Sequence, residues 1–169
     1  MKYVILALLA ALSLASVAYA GETAITFEGG NMWLLDYGDT PTLLPGLGAG
    51  ISYRPTYVND EGQEVPSDLL FLLGITPTPD QPYGSLMVDW RLATWQGIKS
   101  YLGPGCATLY EKGGYYSLGA VGEARLEFGV GNNPMFFVIG TGYLWRQATE
   151  EMPDPANVPF YLALGARTQ

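Results

Sequence analysis

The sequence predicts an all-β fold, an antiparallel up-and-down eight-stranded transmembrane β-barrel. Three observations predict it: apolar and polar residues alternate with a period of two, Gly and Pro recur along the chain, and only 14% of residues are charged. Ordinary soluble domains carry about 25% charged residues. No stretch after residue 20 is continuously apolar for about 18 residues, as a spanning helix would be. The composition suits a membrane barrel, because each of its strands meets lipid with only every second residue.

Residues 1–20 are predicted to be a cleaved signal peptide, and residues 21–169 a single barrel domain. Lys2 gives a positive start, an apolar stretch follows, and Ala18-Tyr19-Ala20 forms a small-x-small cleavage site. The protein is therefore expected to be exported from the cytoplasm.

Eight strands are predicted, at 24–35, 46–54, 69–76, 85–94, 98–111, 116–130, 135–146 and 159–167. The first ends at a turn-like segment, 36–41, and residues 55–67 are predicted to be a polar loop. The third strand stops at Pro77, Pro79 and Pro82, since proline has no N–H to donate to a neighbouring strand. Gln96-Gly97, 112–114 and 131–134 are predicted turns, and 148–157 an acidic loop. The even count and the strand lengths of about ten residues fit tilted membrane strands.

The sixth predicted strand shows most clearly that the two faces of the sheet differ. Three charged residues, Glu123, Arg125 and Glu127, alternate there with apolar ones. The second, fourth and eighth strands follow the same pattern. If the charged faces point inward, the residues predicted to line the lumen are Glu28, Arg54, Asp89, Arg91, Glu123, Arg125, Glu127 and Arg167. Because an eight-stranded barrel has interior room only for side chains, these four acids and four arginines are expected to plug it as a salt-bridge network.

A soluble barrel is the alternative. Its apolar faces would point inward and bind a small apolar ligand, as in lipocalin-like barrels, and its strands would show the same period of two. The membrane interpretation is favoured because the charged faces are sparse, and because the apolar faces include aromatic residues suited to an interfacial girdle: Tyr53, Trp90, Trp145 and Phe160. The two interpretations differ in whether Glu123, Arg125 and Glu127 point into the barrel.

Composition excludes several functions. Without Lys2 the chain has seven basic and 16 acidic residues, a net charge of −9 that disfavours nucleic acid as a partner. There is no histidine and no G-x-S-x-G motif, so we predict no catalytic residues, no metal site and no cofactor. The single cysteine, Cys106, is read as a small apolar residue. Some glycines are spaced by two and are expected to leave space for Tyr or Arg on neighbouring strands rather than to form a phosphate-binding loop: those at 46, 48 and 50, at 103 and 105, and at 140 and 142.

The signal-peptide junction and the glycine-rich strand segments 46–53, 101–105 and 160–167 carry a family resemblance. The mature chain resembles the small eight-stranded bacterial outer-membrane barrels, OmpA/OmpX-like and of porin-family style. The resemblance implies an outer-membrane location, lipid and lipopolysaccharide as surroundings, and insertion by the barrel-assembly machinery. It also implies a structural or surface-interaction role with no catalytic residues to carry over. One departure is that the sequence ends in Arg167-Thr168-Gln169, where such barrels usually end in an aromatic residue.

Overall fold

Antiparallel β-strands make up nearly all of the described structure. The computed structural model describes residues 21–36, 42–76, 82–110, 116–129, 133–145 and 156–168. The strands are β1 Gly21–Asp36, β2 Thr42–Val58, β3 Glu64–Pro66, β4 Leu69–Thr76, β5 Tyr83–Trp95, β6 Ile98–Tyr110, β7 Tyr116–Phe128, β8 Met135–Trp145 and β9 Ala156–Thr168. Within these ranges, no helix is long and apolar enough to cross a membrane.

The eight long strands close into a barrel. Each pairs antiparallel with the long strand that follows it, and β1 pairs with both β2 and β9. Closure gives every long strand two neighbours and so removes the free edges of the sheet. The predicted all-β, eight-stranded barrel is confirmed, and the predicted strand 69–76 coincides with β4.

The predicted polar loop 55–67 is wrong. β2 continues to Val58 and pairs there with the short strand β3 as a hairpin. The Asn59 side chain closes the hairpin, because its Oδ1 accepts hydrogen bonds from the backbone N–H groups of Glu61 and Gln63 at 3.0 and 2.9 Å. Gly62 supplies the positive φ of 76° that the turn requires.

The predicted turn at Gln96-Gly97 is confirmed. Both residues have positive φ, 48° and 83°, between the paired residues Trp95 and Ile98. This two-residue geometry matches the right-handed twist of the strands that it joins. The predicted signal peptide, the turns at 36–41, 77–82, 112–114 and 131–134, and the loop 148–157 lie wholly or partly outside the described residues.

The charged faces of the strands point into the barrel. On β7, Glu123, Arg125 and Glu127 are at most 5% exposed, whereas the outward Leu126 is 46% exposed. The barrel end at which β1 begins and β9 ends is called the terminal mouth below. Glu127 and Arg167 lie near this mouth, while Glu123 and Arg125 lie deeper.

Many of the other inward side chains are apolar, a feature that the sequence analysis did not predict. They form one buried cluster, the apolar cluster: Met32, Leu34, Leu70, Leu72, Tyr83, Met87, Tyr101, Ala107, Leu109, Val121 and Leu144. The interior therefore combines apolar packing with buried charge.

Candidate functional site

The structure brings most of the eight predicted lumen residues together inside the barrel. Six are buried: Arg54, Asp89, Glu123, Arg125, Glu127 and Arg167. Glu28 is partly buried and lines an interior cavity with Glu123 and Arg125. Arg91 lies instead at the rim, where it forms an ion pair with Asp68 and its side chain stays 28% exposed. Whether any of these residues binds a ligand stays a prediction.

Arg125 is the centre of one group, called the inner cluster. Its Nη2 donates to Glu123 Oε1 at 2.8 Å, and its Nε donates to Asp89 Oδ2 at 3.3 Å. The guanidinium carbon lies 4.3 Å from the centre of the Phe136 ring. Tyr161 completes the cluster, since its hydroxyl donates to Glu123 Oε2 at 2.7 Å. A buried arginine is thus held by two carboxylates and an aromatic face.

Two glycines make this arrangement possible. Glu123 pairs across the sheet with Gly103 on β6 and with Gly140 on β8. A Cβ at position 140 would overlap the ring of Tyr161, and one at position 103 would overlap a carboxylate oxygen of Asp89. The missing Cβ atoms therefore let Tyr161 and Asp89 reach Glu123 across the intervening strands. Gly140 thus leaves space for a tyrosine, as its spacing predicts, whereas Gly103 leaves space for an aspartate, which the spacing did not predict.

Glu127 is the centre of a second group, called the mouth cluster. Three cations surround its carboxylate: Arg167 Nη2 at 3.2 Å from Oε2, Lys99 Nζ at 3.4 Å from Oε1 and Arg54 Nη2 at 3.9 Å from Oε1. Arg54 also donates to the hydroxyl of Tyr101 at 2.6 Å. Lys99 and Tyr101 are not among the predicted lumen residues, although both share the inward face of β6 with Gly103 by the same period of two.

Acids and bases are unevenly distributed between the two clusters. Among the described residues, the inner cluster has one cation for two carboxylates, with Glu28 nearby, and the mouth cluster has three cations for one carboxylate. Asp89 Oδ1 and Arg167 Nε are both buried without a hydrogen-bond partner in the described part of the chain. A buried charged group with unused hydrogen-bonding capacity is costly.

Two spaces adjoin the clusters. Beside the inner cluster lies a cavity of about 60 Å³, whose lining includes Glu28, Tyr83 and Tyr161. This volume accommodates only a few water molecules. A larger pocket of about 260 Å³ lies at the terminal mouth and is lined by Glu22, Thr23, Ala24, Ser52, Arg54 and Arg167. Among the described residues, no group of three or more His, Cys, Asp or Glu side chains is arranged to hold a metal ion.

Solved structures of other proteins have this architecture. Neisserial surface protein A matches with a TM-score of 0.58 and 14% identity, over 88% of this chain and 98% of that one. The chain shares the fold of Neisserial surface protein A. Two matches are weaker. The N-terminal β-barrel domain of Pseudomonas aeruginosa OprF matches with a TM-score of 0.49 and 15% identity, over 88% of this chain and 99% of that one. Ail of Yersinia pestis matches with a TM-score of 0.39 and 18% identity, over 87% of this chain and 98% of that one. No family model and no curated protein sequence matches the chain.

The likeness to Neisserial surface protein A confirms the predicted resemblance to small eight-stranded outer-membrane barrels at the level of the fold. At 14% identity the likeness concerns the path of the chain rather than its chemistry. The charged clusters must therefore be interpreted from their own geometry.

Proposed function

We propose that this protein is a non-enzymatic, integral outer-membrane β-barrel with a structural or surface-interaction role. The observation that carries the proposal is the inverted distribution of side chains. Charged groups such as Asp89, Arg125 and Glu127 are buried inside, whereas large apolar side chains cover the outside. A soluble domain buries its apolar residues and exposes its charges, so this distribution suits a barrel surrounded by hydrocarbon.

The outer surface supports the proposal in detail. Twenty large apolar residues of the described chain are exposed, among them Phe27, Leu47, Leu102, Leu118 and Leu164 on five different strands. Monomeric soluble proteins rarely expose contiguous apolar patches larger than a few hundred Å². An apolar belt around the barrel therefore favours contact with lipid acyl chains.

Aromatic residues lie towards both ends of this belt. Tyr116, Tyr143 and Trp145 are exposed where β7 begins and β8 ends, and Trp95 is exposed beside the turn at the terminal mouth. Such positions are typical of membrane–water interfaces.

The four aromatic residues predicted for the girdle differ in exposure. Trp90 and Trp145 are more than half exposed, and Phe160 is half-buried against Trp33, with their ring centres 5.7 Å apart. Tyr53 is buried, and its ring centre lies 6.4 Å from that of Phe71. Tyr53 therefore contributes packing rather than an exposed aromatic surface.

We also propose that the interior is closed to solutes. The inner cluster, the mouth cluster and the apolar cluster fill it from different strands, and the cavity beside the inner cluster measures only about 60 Å³. The soluble alternative needs an inward apolar face and an outward charged one. The inward orientation of Glu123, Arg125 and Glu127 does not favour it.

The proposed surroundings follow from the same distribution. Lipid and lipopolysaccharide acyl chains would cover the belt, the barrel-assembly machinery would insert it, and export would use the signal peptide predicted at residues 1–20. Neisserial surface protein A, which has this fold, is a surface protein by name, and this supports a role at the cell surface.

Cys106 provides a direct test of membrane embedding. It is the only cysteine, and its thiol is exposed on the outward face of β6. In lipid vesicles we expect a lipid-soluble maleimide to label Cys106, and a charged maleimide present on both sides of the bilayer to leave it unlabelled. The matched control is a Cys106→Ser chain with Gln63→Cys in the exposed β2–β3 hairpin, which the charged reagent should label rapidly. Rapid labelling of Cys106 by the charged reagent would overturn the proposal.

A further inference from the structure

The pocket at the terminal mouth has the chemistry of an anion site. Two of its lining residues, Arg54 and Arg167, have side chains only 5% exposed, yet they face a space of about 260 Å³. Their burial fixes the two guanidinium groups in place beside the opening.

Positive charge exceeds negative charge around this pocket. Glu127 is the one buried carboxylate available to Arg54, Arg167 and Lys99 among the described residues. Glu22 at the rim lies 3.9 Å from Arg54 Nη1, and its side chain is 53% exposed, so solvent weakens this ion pair. The three cations therefore share one well-buried counter-charge.

Arg167 also retains an unused donor. Its Nη2 lies 3.2 and 3.3 Å from the two oxygens of Glu127, whereas its Nε is buried and has no hydrogen-bond partner in the described residues. A buried N–H group without an acceptor is costly. A small shift of the Arg167 side chain towards the pocket would let an oxygen atom of a ligand accept from this group.

We infer that the terminal mouth binds a phosphate group between Arg54 and Arg167. A guanidinium group stays protonated and presents several N–H donors in one plane, which suits the oxygens of a phosphate. A phosphate monoester or inorganic phosphate carries a charge of about −1.5 to −2 near neutral pH, which matches the excess of cations better than a single carboxylate does. The volume of the pocket also leaves room for a phosphate with some of its water.

The phosphate could be free in solution or belong to a lipid headgroup near the mouth. Both sources present the same tetrahedral group to the two arginines. The inference uses only the pocket and its charges, so it goes beyond the proposed membrane role and can fail or succeed separately from it.

Calorimetric titration of inorganic phosphate into the folded protein, in a sugar-based detergent without phosphate, tests the inference. We expect saturable binding that is stronger than that of acetate. Arg167→Gln removes the unused donor and one charge and should weaken binding at least about tenfold, in line with charge-assisted hydrogen bonds. Glu22→Gln removes the rim carboxylate and should strengthen binding a few-fold.

Arg91→Gln is the matched control, because Arg91 pairs with Asp68 at the rim and does not line the pocket. It should leave binding unchanged. Loss of the heat-dependent gel mobility shift would show that Arg167→Gln fails to fold. In that case phosphate binding is compared between Glu22→Gln, where it should strengthen, and Arg91→Gln, where it should stay unchanged. An equal loss in Arg91→Gln and Arg167→Gln, or no strengthening in Glu22→Gln, would overturn the inference.

Mixed micelles that contain phosphatidic acid distinguish the two sources. If phosphatidic acid does not displace bound inorganic phosphate, the ligand is a soluble phosphate. If phosphatidic acid binds to the protein or displaces inorganic phosphate, the ligand is a lipid headgroup. Both results support the phosphate site. Binding of neither probe contradicts it.

Discussion

Tyr161 on β9 reaches Glu123 on β7 by passing over β8, and the two are joined by a 2.7 Å hydrogen bond. Their contact spans two strand pairings, from Glu123 to Gly140 and from Gly140 to Tyr161. It exists because residue 140 has no side chain to block it. The buried charge network thus depends on an uncharged residue.

Gly140→Ala should therefore destabilise the barrel. The added methyl group would overlap the ring of Tyr161, and relieving that overlap should cost about 1–3 kcal/mol of unfolding free energy. Gly122→Ala is the control, because a Cβ there meets nothing closer than the Gly103 carbonyl oxygen at 3.7 Å. It should change stability by less than about 0.5 kcal/mol. Urea unfolding in vesicles, followed by tryptophan fluorescence, measures both, and equal stabilities would contradict the packing argument.

Arg125→Met should be among the most destabilising single changes. It leaves the buried carboxylates of Asp89 and Glu123 without their shared cation, and breaking a buried ion pair from one side costs about 3–5 kcal/mol. Arg91→Met makes the same chemical change at the rim, where an exposed ion pair contributes about 0–1 kcal/mol. The two variants are compared by their midpoints of urea unfolding, provided that the slope of unfolding free energy against urea concentration is the same in both. Similar losses in the two variants would show that Arg125 is less buried than the structure places it.

The sequence predicts the features that depend on local pattern. The alternation of charged and apolar residues along 123–128 identifies the inward face of β7, and the pair Gln96-Gly97 identifies a two-residue turn. Both features depend only on residues next to each other in the sequence, so they can be predicted without knowing the rest of the fold. The hairpin that contains β3 is not predicted, because the polar run 59–64 is typical of a loop, whereas the Asn59 side chain closes it into a turn by bonding to backbone groups.

The division into two charged clusters is not predictable in this way. Glu127 meets Arg54 across the interior from strands that do not pair with each other, and the stagger of the strands decides which inward residues share a level. Arg91 illustrates the consequence. It shares the face of Asp89 on β5, yet it ends at the rim beside Asp68.

Removing the hydroxyl of Tyr161 tests the link between β9 and the inner cluster. Tyr161→Phe keeps the ring but loses the donor to Glu123, and a hydrogen bond to a charged group contributes about 1.5–3 kcal/mol. Tyr143→Phe is the matched control, since Tyr143 is exposed on the outer face of β8. Only the first variant should lower the urea midpoint in vesicles. Equal midpoints for Tyr161→Phe and the unmodified protein would exclude an energetic role for this bond.

A charge placed on the outer belt distinguishes a lipid-facing surface from a water-facing one. Leu102 is 53% exposed on β6, and replacing it by Arg should cost about 2–4 kcal/mol if it lies near the middle of the bilayer. Val58→Arg is the control, because Val58 is similarly exposed but lies in the β2–β3 hairpin beyond the barrel wall, where the charge should cost little. In the soluble alternative, both changes would place an arginine in water and neither would destabilise the fold. Urea unfolding of both variants in phospholipid vesicles therefore separates the two architectures: a loss confined to Leu102→Arg supports the membrane barrel, and unchanged stability in both contradicts it.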